Sequence, residues 1–124
     1  MFIEFNPNPR KRIVDDCVIR AICLFSGKSW DEVYTELCEE GRKEGDWANK
    51  NFVWFRYLEK LGFKQHLIPD FCPNCFTIRE FCELYPEGIY LLGTGDHVVG
   101  VIDGNYFDIW DSGDEVPVYY WTRG

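Results

Sequence analysis

The sequence predicts a single α+β domain in which N-terminal helices pack on a C-terminal antiparallel β-sheet. The first half of the chain has apolar residues at helical spacing, and the last third has short apolar runs separated by turns rich in Gly and Asp. A length of 124 residues is sufficient for one hydrophobic core. Helices followed by a run of strands are typical of the α+β class.

Three helices are predicted in the first half. The first covers about residues 16–25. The second begins at a capping box formed by Ser29 and Glu32 and ends at Gly41. The third covers about residues 51–61, where apolar residues again recur on one face. We expect the first helix to be mostly buried, because most of its residues are apolar.

The second half is predicted to be mainly sheet. A short strand at 63–68 precedes a turn-rich stretch at 69–75 and a short helix that starts at the capping box of Thr77 and Glu80. The remaining strands are predicted at residues 88–92, 97–102, 106–110 and 116–121.

Charge and composition exclude several classes of function. The net charge is −8 and the sequence pI is near 4.7, which disfavours nucleic acid as a partner, because binding to phosphates requires Lys and Arg. An acidic surface would instead suit a basic protein partner. No apolar run approaches the ~20 residues of a membrane span, and no export signal is recognisable. We therefore expect a cytoplasmic protein whose six cysteines are free thiols.

Cys17 is the candidate nucleophile. It lies at the predicted start of the first helix, where unpaired backbone N–H groups and the helix dipole favour a thiolate and can donate to an oxyanion. Asp15 and Asp16 act against this, because nearby negative charge disfavours a second anion. The alternative is that one of these aspartates caps the helix and that Cys17 packs in the core.

His97, at the start of the predicted strand 97–102, is the candidate base. If residues 103–105 form the next hairpin loop, His97 faces Asp111, which then orients the imidazole. A two-residue Asp-Gly turn is the competing geometry, and it places Asp108 diagonally from His97. We expect the longer loop and therefore Asp111, with Asp108 as the reserve.

Three segments carry these residues in a recognisable order. Residues 16–21 read Asp-Cys-Val-Ile-Arg-Ala, residues 97–101 read His-Val-Val-Gly-Val, and residues 109–112 read Ile-Trp-Asp-Ser. This order resembles the papain-like cysteine peptidases, in which the Cys begins a helix, the His starts one strand and an Asn or Asp ends the next. The segments are also similar to uncharacterised small proteins of phages and Gram-positive bacteria. The resemblance implies one papain-like domain over residues 1–124.

The sequence departs from that superfamily at the oxyanion donor. Papain-like enzymes usually carry a Gln about six residues before the nucleophile, and Lys11 occupies that position here. Asn6, Asn8 or the backbone N–H of Cys17 alone are the alternatives. The donor therefore stays unassigned at this point.

A metal site is the weaker expectation. Cys72 and Cys75 have the spacing of a zinc knuckle, and His66 and Cys82 would complete four ligands. The sequence has no second pair with this spacing, so a turn with two small thiols is the preferred interpretation. We predict no metal and no cofactor.

Together these features predict a cysteine peptidase or related amide hydrolase with Cys17, His97 and Asp111 as its triad and a protein or peptide as its substrate. The alternative belongs to another class: a non-catalytic, acidic, phage-type inhibitor that binds a basic site on a host protein, for example a defence protein.

Overall fold

A computed structural model describes residues 1–68 and 75–123 of the chain. This part contains four helices and six strands that form one mixed sheet, so the predicted α+β class is confirmed. In chain order the elements are β1 (Phe2–Glu4), α1 (Cys17–Ser26), α2 (Trp30–Glu44), α3 (Asn51–Lys60), β2 (Lys64–Leu67), α4 (Ile78–Leu84), β3 (Ile89–Gly93), β4 (Val98–Ile102), β5 (Asn105–Asp108) and β6 (Tyr119–Thr122).

The sheet has the strand order β1-β5-β4-β3-β6-β2. All described neighbours are antiparallel except β1 and β5, which pair in parallel through Phe2 and Tyr106. The expectation of a wholly antiparallel sheet is therefore wrong at one edge. A strand of three residues is too short for alternation in the sequence to indicate it.

Helices cover both faces of the sheet. Adjacent residues of β3 and β4 point to opposite sides, so that Leu91 and Val98 belong to the core that includes residues of α1, α2 and α3, whereas Leu92 and Val99 belong to the core that includes residues of α4. This alternation follows from the period of two along a strand. The central strands are consequently buried on both faces.

The end of α2 differs from the prediction. The helix begins at the predicted capping box but continues through Gly41 to Glu44. Gly41 is required for close packing, since a Cβ atom there would lie 2.7 Å from the backbone oxygen of Asp46. Gly45, with φ of 77°, is the residue that ends the helix.

The hairpin between β4 and β5 has a two-residue turn. Ile102 pairs with Asn105, and Asp103 and Gly104 adopt left-handed φ values of 49° and 77°. Both values fit a primed turn, whose twist matches that of the strands. The predicted three-residue loop is therefore wrong, and the competing Asp-Gly turn shifts every β5 residue by one position relative to β4.

Candidate active site

Cys17 is the first residue of α1 and is half-buried at the edge of the main core. The helix lies unusually close to β4, because Gly100 presents no side chain to it. A Cβ atom on Gly100 would lie 2.5 Å from Cδ2 of Leu24. This close approach brings the start of α1 towards the end of the sheet at which His97 precedes β4, and Cys17 and His97 line the same cleft.

Asp16 precedes Cys17, but its carboxylate does not cap α1. Instead, Oδ1 accepts a hydrogen bond from Arg20 at 2.5 Å and Oδ2 accepts one from Nε1 of Trp30 at 2.9 Å. The alternative in which Asp16 caps the helix is therefore not observed, because its carboxylate is engaged by Arg20 and Trp30. Among the described groups, no N-cap side chain competes for the N–H groups beside Cys17.

Asp108, and not Asp111, is the carboxylate that contacts His97. Nε2 of His97 lies 2.6 Å from Oδ2 of Asp108. This follows from the Asp-Gly turn, since the pairing of Gly100 with Phe107, continued by three residues, puts Trp110 opposite His97 and Asp108 diagonally from it. The predicted partnership of His97 with Asp111 is thus corrected, and the reserve residue occupies the position.

Asp111 lies in a different, exposed environment. Its Oδ1 accepts hydrogen bonds from the hydroxyl of Tyr106 at 2.5 Å and from the backbone N–H of Gly113 at 3.1 Å, and Arg79 lies 3.5 Å away. The hydrogen bond from Tyr106 is the main cause that lowers the pKa of Asp111 below its usual value. These partners hold Asp111 in the turn after β5, away from the imidazole.

Asp108 is completely buried and every side of its carboxylate is occupied. Oδ1 accepts from the backbone N–H of Ile109 at 2.8 Å and from Arg20 at 3.1 Å, while Oδ2 accepts from the Ser112 hydroxyl at 2.7 Å and contacts His97. Burial is the largest single influence and acts to raise the pKa of Asp108. The hydrogen bonds from His97 and Ser112, with the charge of His97, outweigh it and lower that pKa.

The environment of His97 favours its charged form. Burial is again the largest single influence and acts to lower the pKa of His97. Hydrogen bonds to Asp108 and Cys17 outweigh it and raise the pKa from 6.5 to about 9. His97 is therefore an imidazolium at neutral pH, held between the carboxylate of Asp108 and the side chain of Cys17.

The two ring nitrogens of His97 have different partners. Asp108 occupies Nε2, which leaves Nδ1 for the interaction with Cys17. The ring of Trp110 lies against the imidazole with centroids 5.0 Å apart. In the preceding loop, the backbone N–H of His97 donates to the Thr94 hydroxyl at 3.2 Å, which fixes the start of β4. The imidazole is thus constrained on several sides.

Cys17 and His97 open onto a cleft of about 1090 Å³. The cleft is bordered by the segment before α1, by α1 and α2, and by the loop before α3. Aromatic residues Trp30 and Tyr34 stack in it with centroids 5.0 Å apart, and the highly exposed Trp47 adds a third ring. Such a volume is large enough for several residues of an extended peptide.

Lys11, which replaces the usual Gln, and the two asparagines considered as oxyanion donors differ in their contacts. Lys11 is exposed and donates to the backbone oxygen of Asn6 at 3.3 Å, while the side-chain amide of Asn6 donates to the backbone oxygen of Arg12 at 3.2 Å. Asn8 is only 6 % exposed and lines the cleft. Its Oδ1 accepts from the N–H of Arg10 at 2.9 Å, and within the described residues Nδ2 has no acceptor. Of the two asparagines, Asn8 is therefore the one that lines the cleft.

Two residues of the candidate site, Arg20 and Ser112, were not anticipated from the sequence. Arg20 and Ser112 both contact Asp108. The spacing of Asp16 and Arg20, four residues apart at the start of an otherwise apolar helix, is a signal for the first. Ser112 had no comparable signal, because a Ser after a strand is ordinary in turns.

The structure describes only some of the four side chains considered as zinc ligands. Residues 72–74, and with them half of the Cys72/Cys75 pair, lie outside the described residues. His66 is on the exposed strand β2, where it contacts Thr122 and stacks on Tyr120. Burial raises the pKa of the Cys82 thiol. In the ranges 1–68 and 75–123, no group of three or more His, Cys, Asp or Glu side chains is arranged to hold a metal ion.

In the described part of the chain, no helix combines the length and apolar character that a membrane span requires. No protein-family model matches the sequence, and no curated protein or solved structure is significantly similar to it.

Proposed function

We propose that the chain is a papain-like, cysteine-dependent amide hydrolase that acts on a peptide or isopeptide bond of a protein or peptide substrate. The observation that carries the proposal is the continuous series of contacts from Cys17 through His97 to the buried Asp108, at the edge of a cleft. Cysteine catalysis needs a thiolate, a base within reach and a group that orients the base. The three side chains match these requirements.

The first half-reaction would acylate the enzyme. The thiolate of Cys17 attacks the substrate carbonyl carbon, and the C–S bond forms while the oxyanion accepts hydrogen bonds from the N–H of Cys17 and from Nδ2 of Asn8. His97 donates its Nδ1 proton to the amine nitrogen as the C–N bond breaks. The amine leaves, and a thioester remains on Cys17.

The second half-reaction would release the product. Nδ1 of His97 accepts a proton from water as the water oxygen attacks the thioester carbonyl. The C–S bond then breaks, a carboxylic acid leaves, and Cys17 is again a thiolate beside an imidazolium. Asp108 stays ionised throughout and holds the ring through Nε2.

The decisive experiment is the rate of iodoacetamide labelling at Cys17 as a function of pH, resolved by peptide mass spectrometry. An adjacent imidazolium stabilises a thiolate, so labelling of the wild type should persist well below pH 7 and should weaken in His97→Ala. The chain offers a matched control, since His66→Ala removes the other histidine and should leave the rate unchanged. Cys38, an exposed thiol on α2, is the internal reference for reagent access.

A result in which Cys17 labels like Cys38 at every pH, with or without His97, would contradict the hydrolase. The net charge of −8 then favours the second candidate, a stoichiometric acidic inhibitor of a basic host protein. Such binding should weaken steeply between low and high salt, because exposed charges are screened. A Cys17→Ala variant would bind equally well in that case.

A further inference from the structure

We propose that Arg20 is a positioning residue of the site: its guanidinium bridges Asp16 and Asp108, and so holds Asp108 in the orientation that keeps His97 against Cys17. This inference rests on the proposed function and adds a residue to the same site.

The first support is the geometry of the bridge. Nη1 of Arg20 lies 2.5 Å from Oδ1 of Asp16, and Nη2 lies 3.1 Å from Oδ1 of Asp108. Arg20 therefore uses only one oxygen of Asp108. The other oxygen, Oδ2, is left for Nε2 of His97 at 2.6 Å and for the hydroxyl of Ser112. A carboxylate fixed at both oxygens cannot turn away from the imidazole.

The second support is the balance of buried charge. Arg20 is 3 % exposed, Asp16 is 7 % exposed and Asp108 is completely buried. A buried carboxylate without a cation beside it tends to take up a proton. The guanidinium of Arg20 is the cation that lies within hydrogen-bond distance of both carboxylates. Because Asp108 must be an anion to hold an imidazolium, Arg20 affects the site although it does not touch Cys17.

The third support is the position of Arg20 in the fold. It lies one turn after Cys17 on α1, so the bridge to Asp108 fastens the helix of the nucleophile to β5. Trp30 donates to the second oxygen of Asp16 and adds α2 to the same network. The planar fork of an arginine can contact two carboxylates at once, whereas the single ammonium of a lysine is a point charge on a flexible stem.

The groups that face this network come from every element packed around it. The charged or titratable ones are Cys17, Arg20 and Cys23 on α1, Asp16 before it, His97 before β4, Asp108 on β5 and Tyr119 on β6. Of these, Arg20 is the permanent cation.

The first arm of the test is an NMR titration of the two histidines in the wild type and in Arg20→Lys. This variant keeps a cation and is expected to fold. In the wild type His97 should titrate near pH 9, in accordance with its raised pKa. In the variant the midpoint should fall by about 1 pH unit or more, because the carboxylate of Asp108 is no longer held in position against Nε2 of His97. An unchanged or higher midpoint would overturn the proposal.

The second arm measures Cys17 labelling at about pH 6 in a double-mutant cycle with Asp108→Asn. Arg20→Lys should slow labelling about tenfold when Asp108 is present and less than about twofold when it is replaced, because coupled residues are not additive. An equal loss in both backgrounds would mean a merely structural role and would overturn the proposal.

Arg79→Lys, which alters an exposed arginine, is the matched control for both arms and should behave as the wild type. The two proposals fail separately. Ordinary labelling of Cys17 in the wild type contradicts the hydrolase, whereas the titration of His97 tests Arg20 without any activity.

Discussion

Two clusters of the molecule have the same composition and opposite surroundings. Each contains an arginine in contact with two aspartates: Asp16, Arg20 and Asp108 in the buried cluster, and Asp111, Arg79 and Asp114 in the exposed cluster. In the buried cluster the side chains are 6 %, 4 % and 0 % exposed, whereas in the exposed cluster they are 52 %, 45 % and 89 % exposed. Water and salt screen the second set of charges, but each charge in the first set depends on its neighbours. The comparison teaches that burial, more than residue type, distinguishes an orienting carboxylate from a turn residue.

The largest expected difference between the clusters is in stability. Arg20→Met should lower the free energy of unfolding by about 3–5 kcal/mol, because it leaves the buried Asp16 without its cation and Asp108 with His97 alone. Urea denaturation followed by circular dichroism measures this change. Arg79→Met is the matched substitution in the exposed cluster and should leave the urea midpoint almost unchanged. If the two substitutions lowered the free energy of unfolding by similar amounts, burial would not be what distinguishes the two clusters.

The second prediction concerns pH. The pKa of His97 is raised in the folded protein from 6.5 to about 9, so protonated His97 stabilises the fold fully below the lower value. That contribution is lost as the pH rises through the window between the two values. Its full size is on the order of 3 kcal/mol. It should appear as the difference in unfolding free energy between the wild type and His97→Gln, large near pH 6 and small above about pH 9.

For this second prediction, His66→Gln is the control, because His66 lies on the exposed strand β2. A wild-type advantage over His97→Gln that stays constant across the pH range would show that the pair of His97 and Asp108 does not carry the effect.

The third prediction separates the two candidate orienting residues. Asp108→Asn should reduce the labelling rate of Cys17 near pH 6, and any amide hydrolysis, on the order of 10²-fold, because the imidazole loses its charged partner. Asp111→Asn should change either rate by less than about threefold, since Asp111 contacts Tyr106 and Gly113. The rates of Cys17 labelling and of amide hydrolysis, measured for both variants, distinguish Asp108 from Asp111. The opposite ranking would restore Asp111 as the orienting residue.

Local rules of sequence were sufficient for much of the fold. The capping boxes at Ser29 and Thr77 are present with both reciprocal hydrogen bonds, and they start α2 and α4 as predicted. Gly41 shows the limit of such rules. The glycine that was predicted to end α2 is instead inside it, because its missing side chain makes room for the backbone of Asp46. That requirement comes from tertiary packing, which the local pattern does not contain.

The sequence prediction of the candidate site was wrong by one residue in the pairing of β4 with β5. Cys17 and His97 line the same cleft, whereas Asp108 replaces Asp111 beside the imidazole. Apolar alternation normally selects a register, because a shift by one residue exposes the core face. In β4, however, Val98, Val99 and Val101 are all buried, since helices cover both sides of the strand. Both registers therefore satisfied the apolar pattern, and the backbone of the turn decided between them.

The parallel pairing of β1 with β5 has a consequence for how the molecule is assembled. Phe2 pairs with Tyr106, so β1 must wait for a strand that is synthesised much later. Contacts between such distant residues cost more chain entropy and usually form late in folding. Asn8 follows β1 on the same segment, and Asp108 is the last residue of β5. The cleft is therefore completed only after β5 has been synthesised, and until then Cys17 lacks the neighbours His97 and Asp108.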